Sequence, residues 1–198
     1  METCYSTMDP LGKSLSLLAD VLERFGIPYL IGGSVAAGAR GFVRTTFDVD
    51  LVAQVSASQA DRLAVALGPE WYADPEQIRE GIRRGRSFNL IHVPLGNKID
   101  IFPATEEFHF AQLERAAKAA LPFLSTEREY PVATTEDILL AKLRWYKDGG
   151  EVSTRQWEDI MGIVGANPSR DLDYLRTWAR HLRVEPLLDR ALSSTDSR

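Results

Sequence analysis

Leu11, Leu15, Leu18, Leu22 and Phe25 recur at the spacing of one face of a helix. Asp9 stands at the N-cap position and Pro10 at the first helical position, while Gly26 lies just past the last apolar residue. The pattern therefore predicts a helix from Pro10 that stops at Gly26. Ile27 to Ile31 is a short apolar run reaching Gly32-Gly33, and the small, alanine-rich stretch Ser34 to Arg40 follows. That order predicts a strand, a tight turn and a second helix. Thr45 to Val55 predicts another strand. Because side chains alternate along a strand, Asp48, Asp50 and Val52 share one face, and Val49, Leu51 and Ala53 share the other.

Further along, Ser58 to Leu67 predicts a helix ending before Gly68-Pro69, and Pro75 to Arg84 a second with Asp74 as its cap. Phe88 to Val93 and Lys98 to Phe102 read as two strands joined through Pro94-Leu95-Gly96-Asn97, a hairpin that places Asp100 in its second strand. Glu106 to Ala120 has helical composition and Glu129 to Ala133 reads as one more strand. The rest predicts helices over 135–147, 154–165, 171–182 and 185–193, the second with an apolar stripe of Trp157, Ile160, Met161 and Val164. The expected class is α/β (α+β): a short mixed sheet flanked by helices over 1–133, then a helical C-terminal region over 134–198.

Charge and cysteine content narrow the function. Lysine and arginine number 23 against 28 acidic residues, a net charge of −5, which argues against coating nucleic acid by bulk positive charge. One cysteine, Cys4, excludes an intrachain disulfide and a cysteine zinc cluster, and fits a reducing compartment. Met1 to Pro10 has neither a basic stretch nor an apolar run, and no segment approaches about 18 uninterrupted apolar residues. The expectation is a cytoplasmic protein with no membrane partner. His92, His109 and His181 show no ligand spacing.

Three features carry chemistry: the turn Gly32-Gly33-Ser34, the pair Asp48 and Asp50, and Asp100. Glycines between strand and helix let the backbone come close to a ligand, and the following helix offers free N–H groups to a phosphate. Aspartate is disfavoured in strands, yet it interrupts the apolar runs Phe47 to Val52 and Ile99 to Phe102. Carboxylates on one strand face with a third nearby repel one another unless a cation sits between them, and hard oxygen donors suit Mg²⁺. Such a cation would also hold a nucleoside triphosphate, which makes attack at phosphorus the expected chemistry.

Ile31-Gly32-Gly33-Ser34, followed after 13 residues by Asp48-Val49-Asp50-Leu51, resembles the signature of the polymerase-beta-like nucleotidyltransferase superfamily. Asp100 matches that superfamily's third carboxylate. The stretch from Gly32 to Asp50 is also similar to the opening of CCA-adding enzymes and antibiotic nucleotidyltransferases, although Ala36-Ala37 stands where the former carry Arg-Asp. Small bacterial nucleotidyltransferase-like proteins, including toxins of toxin-antitoxin pairs, look closer. They often add a segment similar to Thr135 to Lys142 and an acidic helix like Trp157-Glu158-Asp159-Ile160.

The resemblance implies a nucleotidyltransferase core over 1–133 that moves a nucleoside monophosphate from an NTP to an acceptor hydroxyl and releases pyrophosphate. It makes Asp48, Asp50 and Asp100 catalytic and Mg²⁺-binding, with Asp100 also deprotonating the acceptor. Gly32, Gly33, Ser34, Arg44 and Lys142 would bind the nucleotide. The acceptor is a small molecule, tRNA or a protein, and a toxin would bring an antitoxin partner. The alternative is a degenerate fold that binds a nucleotide or a partner without turnover. Arg40 is a second candidate phosphate contact. Asp137 reads as closing a capping box with Thr134, Asp159 as a helix-surface partner of Arg155, and Arg79, Arg83, Arg84 and Arg86 as either an acceptor guide or a solvated face.

Overall fold

The computed structural model describes residues 9–43, 46 and 48–194, so Cys4 and the candidate phosphate ligand Arg44 lie outside the described residues. In chain order the elements are α1 (Pro10–Arg24), β1 (Tyr29–Ile31), α2 (Gly33–Ala39), β2 (Asp48–Ala53), α3 (Ala60–Leu67), β3 (Trp71–Tyr72), α4 (Pro75–Arg84) and β4 (Phe88–His92). They continue with β5 (Asn97–Pro103), α5 (Glu107–Arg115), β6 (Ala117–Leu121), β7 (Thr126–Val132), α6 (Thr135–Asp148), α7 (Thr154–Ala166), α8 (Leu172–His181) and α9 (Glu185–Ser193). The strands form one mixed sheet in the order β3-β4-β5-β2-β1-β7-β6. The α/β class with helices gathered at the C-terminal end matches the sequence expectation.

Local chemistry sets several boundaries where the sequence placed them. The Asp9 carboxylate accepts hydrogen bonds from the Leu11 and Gly12 N–H groups at the start of α1, and Leu15, Leu18 and Leu22 are buried. Asp74 caps α4 by accepting from the Glu76 N–H, and Gly85 closes that helix at φ 60, a left-handed conformation that glycine adopts without a Cβ penalty. A single 3₁₀ turn over Val93–Leu95 and Gly96 joins β4 to β5, giving the expected antiparallel hairpin.

The helix expected over Glu106 to Ala120 is corrected. It runs only to Arg115, Ala116 turns the chain out at ψ 130, and Ala117–Leu121 becomes strand β6, paired antiparallel with β7. Alanine favours helix intrinsically, but the pairing partners offered by β7 override that weak preference. The two-residue strand β3, paired with β4, is too short to leave a periodic signal.

The centre of the sheet positions the site. β2 and β5 are adjacent and parallel, in a register that sets Asp48 beside Lys98 and Asp50 beside Asp100. Val49, Leu51, Ile99 and Ile101 point to the opposite face and are buried, and α1 packs against both strands. Each such side chain contributes roughly 1.5–3 kcal/mol by leaving water. A one-residue slip would bury carboxylates in their place, so burial on one face fixes the carboxylates on the other. Across the cavity, α6 packs on α2, α7 and α8, and its buried Ile138, Leu139, Leu140 and Leu143 belong to the same apolar cluster as the sheet.

Candidate active site

The turn after β1 is stitched to β2 by a 2.8 Å hydrogen bond from the Gly32 N–H to the Asp50 carbonyl. Gly33 sits at φ 57, and a Cβ built there would lie 1.8 Å from Asp50 Oδ2. Both the backbone conformation and the carboxylate against it require glycine at this position. α2 starts at Gly33 with Gly32 at its N-cap and, among the described residues, no side-chain cap hydrogen bond.

That space is a cavity of about 630 Å³, within the usual size range of small-ligand sites. Gly32, Gly33, Ser34, Asp48, Asp50, Asp100 and Lys142 all line it, so seven of the eight site residues named from sequence converge. The eighth, Arg44, lies outside the described residues. Arg40 is drawn away from any phosphate role: its guanidinium donates to the carbonyls of Ala133 and Val132 at the end of β7.

The three carboxylates differ in their surroundings. Burial, and then the Asp100 carboxylate beside it, push Asp50 up to about 6; the Lys142 ammonium pulls the other way. Asp48 stands half exposed at the rim, whereas the Asp100 side chain is 17% exposed. Lys98, two residues before Asp100 and therefore on the same strand face, reaches both: its Nζ lies 2.7 Å from Asp100 Oδ2 and 3.6 Å from Asp48 Oδ2. The hydrogen bond to Asp100 holds Lys98 above the usual lysine value. Sequence reasoning missed this residue, although the i, i+2 spacing on a strand was the signal that it shares a face with Asp100.

The donor set suits a hard divalent cation. Three carboxylates share one face, and burial, then the neighbouring Asp100 carboxylate, raise the proton affinity of Asp50 against the pull of Lys142 and Lys98. Among the described residues no three metal-ligating side chains already converge into an ion cage. The Lys98 ammonium lies beside two of these carboxylates, Asp48 and Asp100.

The helical wall is built from ion pairs. Lys142 Nζ on α6 is 3.0 Å from Asp159 Oδ2 on α7, and both side chains are largely enclosed. Asp159 is buried and has a tertiary partner across two helices, which corrects its expected place on the helix surface. Arg144 forks onto Glu106 at 2.7 and 3.0 Å and holds that carboxylate below its usual range. Trp145, half exposed beside Phe102 with ring centroids 5.4 Å apart, gives the cavity an aromatic surface. Glu106, Arg144 and Trp145 carried no sequence signal, since only the packing of α6 over the sheet brings them to the site.

Two other sequence candidates prove structural. Asp137 is fully buried, its N–H donates to the Thr134 hydroxyl, and its carboxylate accepts from Thr134 and from the Tyr174 hydroxyl at 2.6 Å. That network extends the expected cap and ties α6 to α8. The arginines of α4 are neutralised locally: Arg79 pairs with Asp61 and Glu76, Arg83 with Glu76 and Glu80, and Arg84 with Glu80. They read as a solvated face.

No family model and no curated protein sequence matches the chain. Solved structures do. An antigenic nucleotidyltransferase-like protein from Paracoccidioides brasiliensis superposes with a TM-score of 0.56 at 22% identity, over 93% of this chain and 92% of that chain. The solution structure of the antibiotic-resistance factor ANT(2'')-Ia gives 0.51 at 11% identity, over 89% of this chain and 92% of that one. The crystal structure of ANT(2'')-Ia in complex with adenylyl-2''-tobramycin gives 0.51 at 13% identity, over 86% and 95%. The chain has the nucleotidyltransferase fold, as the Gly32-Gly33-Ser34 turn and the aspartate strand anticipate. Among the described residues no helix is long and apolar enough to cross a membrane.

Proposed function

We propose that this protein transfers a nucleoside monophosphate from an NTP to an acceptor hydroxyl, with Mg²⁺ as cofactor and pyrophosphate as the leaving group. The observation that carries the reading is the in-register pairing of Asp50 with Asp100, with Asp48 on the same face, beside an open glycine turn in one cavity. Asp48, Asp50 and Asp100 would hold the metal, which when bound neutralises the triphosphate and the charge developing on it. Gly32, Gly33 and Ser34 bind the phosphates through the turn and the start of α2, and the Lys142 ammonium, aimed by Asp159, adds positive charge.

Asp50 lies against the glycine turn and so belongs to the phosphate side. Asp100, one strand further from the turn, belongs to the acceptor side and takes the acceptor proton as the oxygen attacks the α-phosphorus. The new bond joins that oxygen to phosphorus, and the bond to the bridging oxygen breaks to release pyrophosphate. Tobramycin in the adenylylated product bound by ANT(2'')-Ia makes a hydroxylated small molecule the first acceptor class to test, with tRNA and protein next. Residues of α6 and α7 between Ile138 and Asp159 would wall the cavity beside these reactants.

One observation favours a second reading, a degenerate fold that binds without turnover: Lys98 already satisfies two of the three carboxylates. Incubation with each α-labelled NTP, Mg²⁺ and pools of aminoglycosides, tRNA and lysate protein separates the two. Label moving to one pool, with loss on Asp50→Asn, supports transfer. Binding of NTP with label reaching no pool supports the second reading.

A further inference from the structure

We propose that Lys98 is a resident counter-ion of the carboxylate face, holding Asp48 and Asp100 until a divalent cation arrives with a triphosphate and displaces its ammonium. The inference rests on the metal-binding reading of that face. A lysine at a polar position of a strand would ordinarily extend into water, where its ammonium is well hydrated. Here the β2–β5 register sets Lys98 beside Asp48, and the alternation of β5 sets it on the face of Asp100. The ammonium is drawn in to 2.7 Å from one carboxylate and 3.6 Å from the other. Lys142, the other lysine at this site, is engaged by Asp159 on the far wall. Among the described residues, Lys98 is therefore the cation that meets the charge of Asp48 and Asp100.

A divalent ion on the same oxygens and an ammonium at hydrogen-bond distance from them repel each other strongly, so the two occupy the face in turn. The Lys98 side chain is 37% exposed and has a flexible four-carbon stem, which gives it a route outward. Displacement costs free energy when the metal comes alone, because the ammonium leaves two carboxylates for water. When a triphosphate is present, the displaced ammonium gains a new anion beside it. Metal and nucleotide consequently reinforce each other's binding, and by linkage each raises the affinity of the other by the same factor.

Mn²⁺ titration followed by electron paramagnetic resonance, with and without a non-hydrolysable NTP analogue, tests this on the full chain, on Lys98→Met and on Asp50→Asn. Wild type should bind Mn²⁺ weakly alone and much more tightly with the analogue. Lys98→Met should tighten analogue-free binding by about tenfold, the scale of ordinary coupling between sites, and shrink the gain from the analogue. Its melting temperature in chelator should fall and should rise more on adding Mn²⁺ than that of wild type. Lys98→Gln, which keeps a polar side chain of similar length, gives the same readouts if the methionine variant folds poorly. Unchanged analogue-free affinity in the Lys98 variants, with binding still lost in Asp50→Asn, overturns the role of Lys98 and leaves the carboxylate site standing. No Mn²⁺ binding by any form, with or without the analogue, overturns both.

Discussion

On the strand wall of the cavity Asp48, Asp50 and Asp100 crowd onto two adjacent strands, and one lysine of that wall, Lys98, reaches two of them. On the helical wall the charges come matched: Lys142 with Asp159, Arg144 with Glu106. Ion pairs of that second kind fix side chains in place, the Lys142 ammonium among them. The strand wall sets three carboxylates close together, and burial, then the Asp100 carboxylate, push Asp50 up to about 6. The contrast sets a wall of crowded carboxylates against a wall of matched ion pairs.

The largest effect is expected at Asp100. Asp100→Asn should keep most NTP affinity while losing at least roughly a hundredfold in transfer rate, since a general base contributes about 10²–10⁴-fold and matters only as attack begins. Single-turnover label transfer measures it once an acceptor is known, and a near wild-type rate would remove Asp100 from the acceptor side.

Next comes the turn. Gly33→Val would drive a Cβ into Asp50 Oδ2 and force a β-branched residue to φ 57, so nucleotide binding should be lost and stability should fall by about 1–3 kcal/mol. Urea unfolding and nucleotide titration read the two parts separately. Normal NTP binding by a folded Gly33→Val would show that the turn does not cradle phosphate.

A smaller effect is electrostatic. Asp50 has a higher proton affinity folded than unfolded, 3.8 rising to about 6, so the folded state binds more protons between these values. The contribution of Asp50 therefore makes the metal-free protein more stable as pH falls from 7 through 6 towards 4, by at most about 3 kcal/mol. Glu106, held low by Arg144, behaves oppositely and loses stabilisation on acidification. The difference between wild type and Asp50→Asn in urea unfolding at pH 7 and pH 5 isolates the Asp50 part. A difference that does not change with pH would contradict the raised proton affinity assigned to the buried Asp50.

The smallest effect should follow Arg83→Ala. Its ion pairs with Glu76 and Glu80 are solvent-exposed, so the change should cost about 0–1 kcal/mol and leave nucleotide transfer and its salt dependence unaltered. A marked loss of transfer would return the α4 arginines to the site.

How much of this was legible in the sequence follows from where each signal lives. Asp48, Asp50 and Asp100 stood out because they break apolar alternation in strands, and the register that joins them follows from burying Val49, Leu51, Ile99 and Ile101 on the far face. The caps at Asp9 and Asp74 were legible because capping is local chemistry. Strand β6 was not, since Ala117 to Ala120 has helical composition and becomes a strand only by pairing with β7. The Lys142–Asp159 and Arg144–Glu106 pairs were beyond local reading, because each joins elements brought together by packing alone. Lys98 falls between: its face was readable from its spacing to Asp100, but its reach across to Asp48 needed the parallel register.

The most direct test of the carboxylate wall as a metal–nucleotide site is calorimetric titration of each NTP into the protein in Mg²⁺ and again in chelator. Wild type should bind one or more NTPs substantially more tightly with Mg²⁺, and Asp50→Asn should lose that difference. Equal affinity in Mg²⁺ and in chelator would contradict the account.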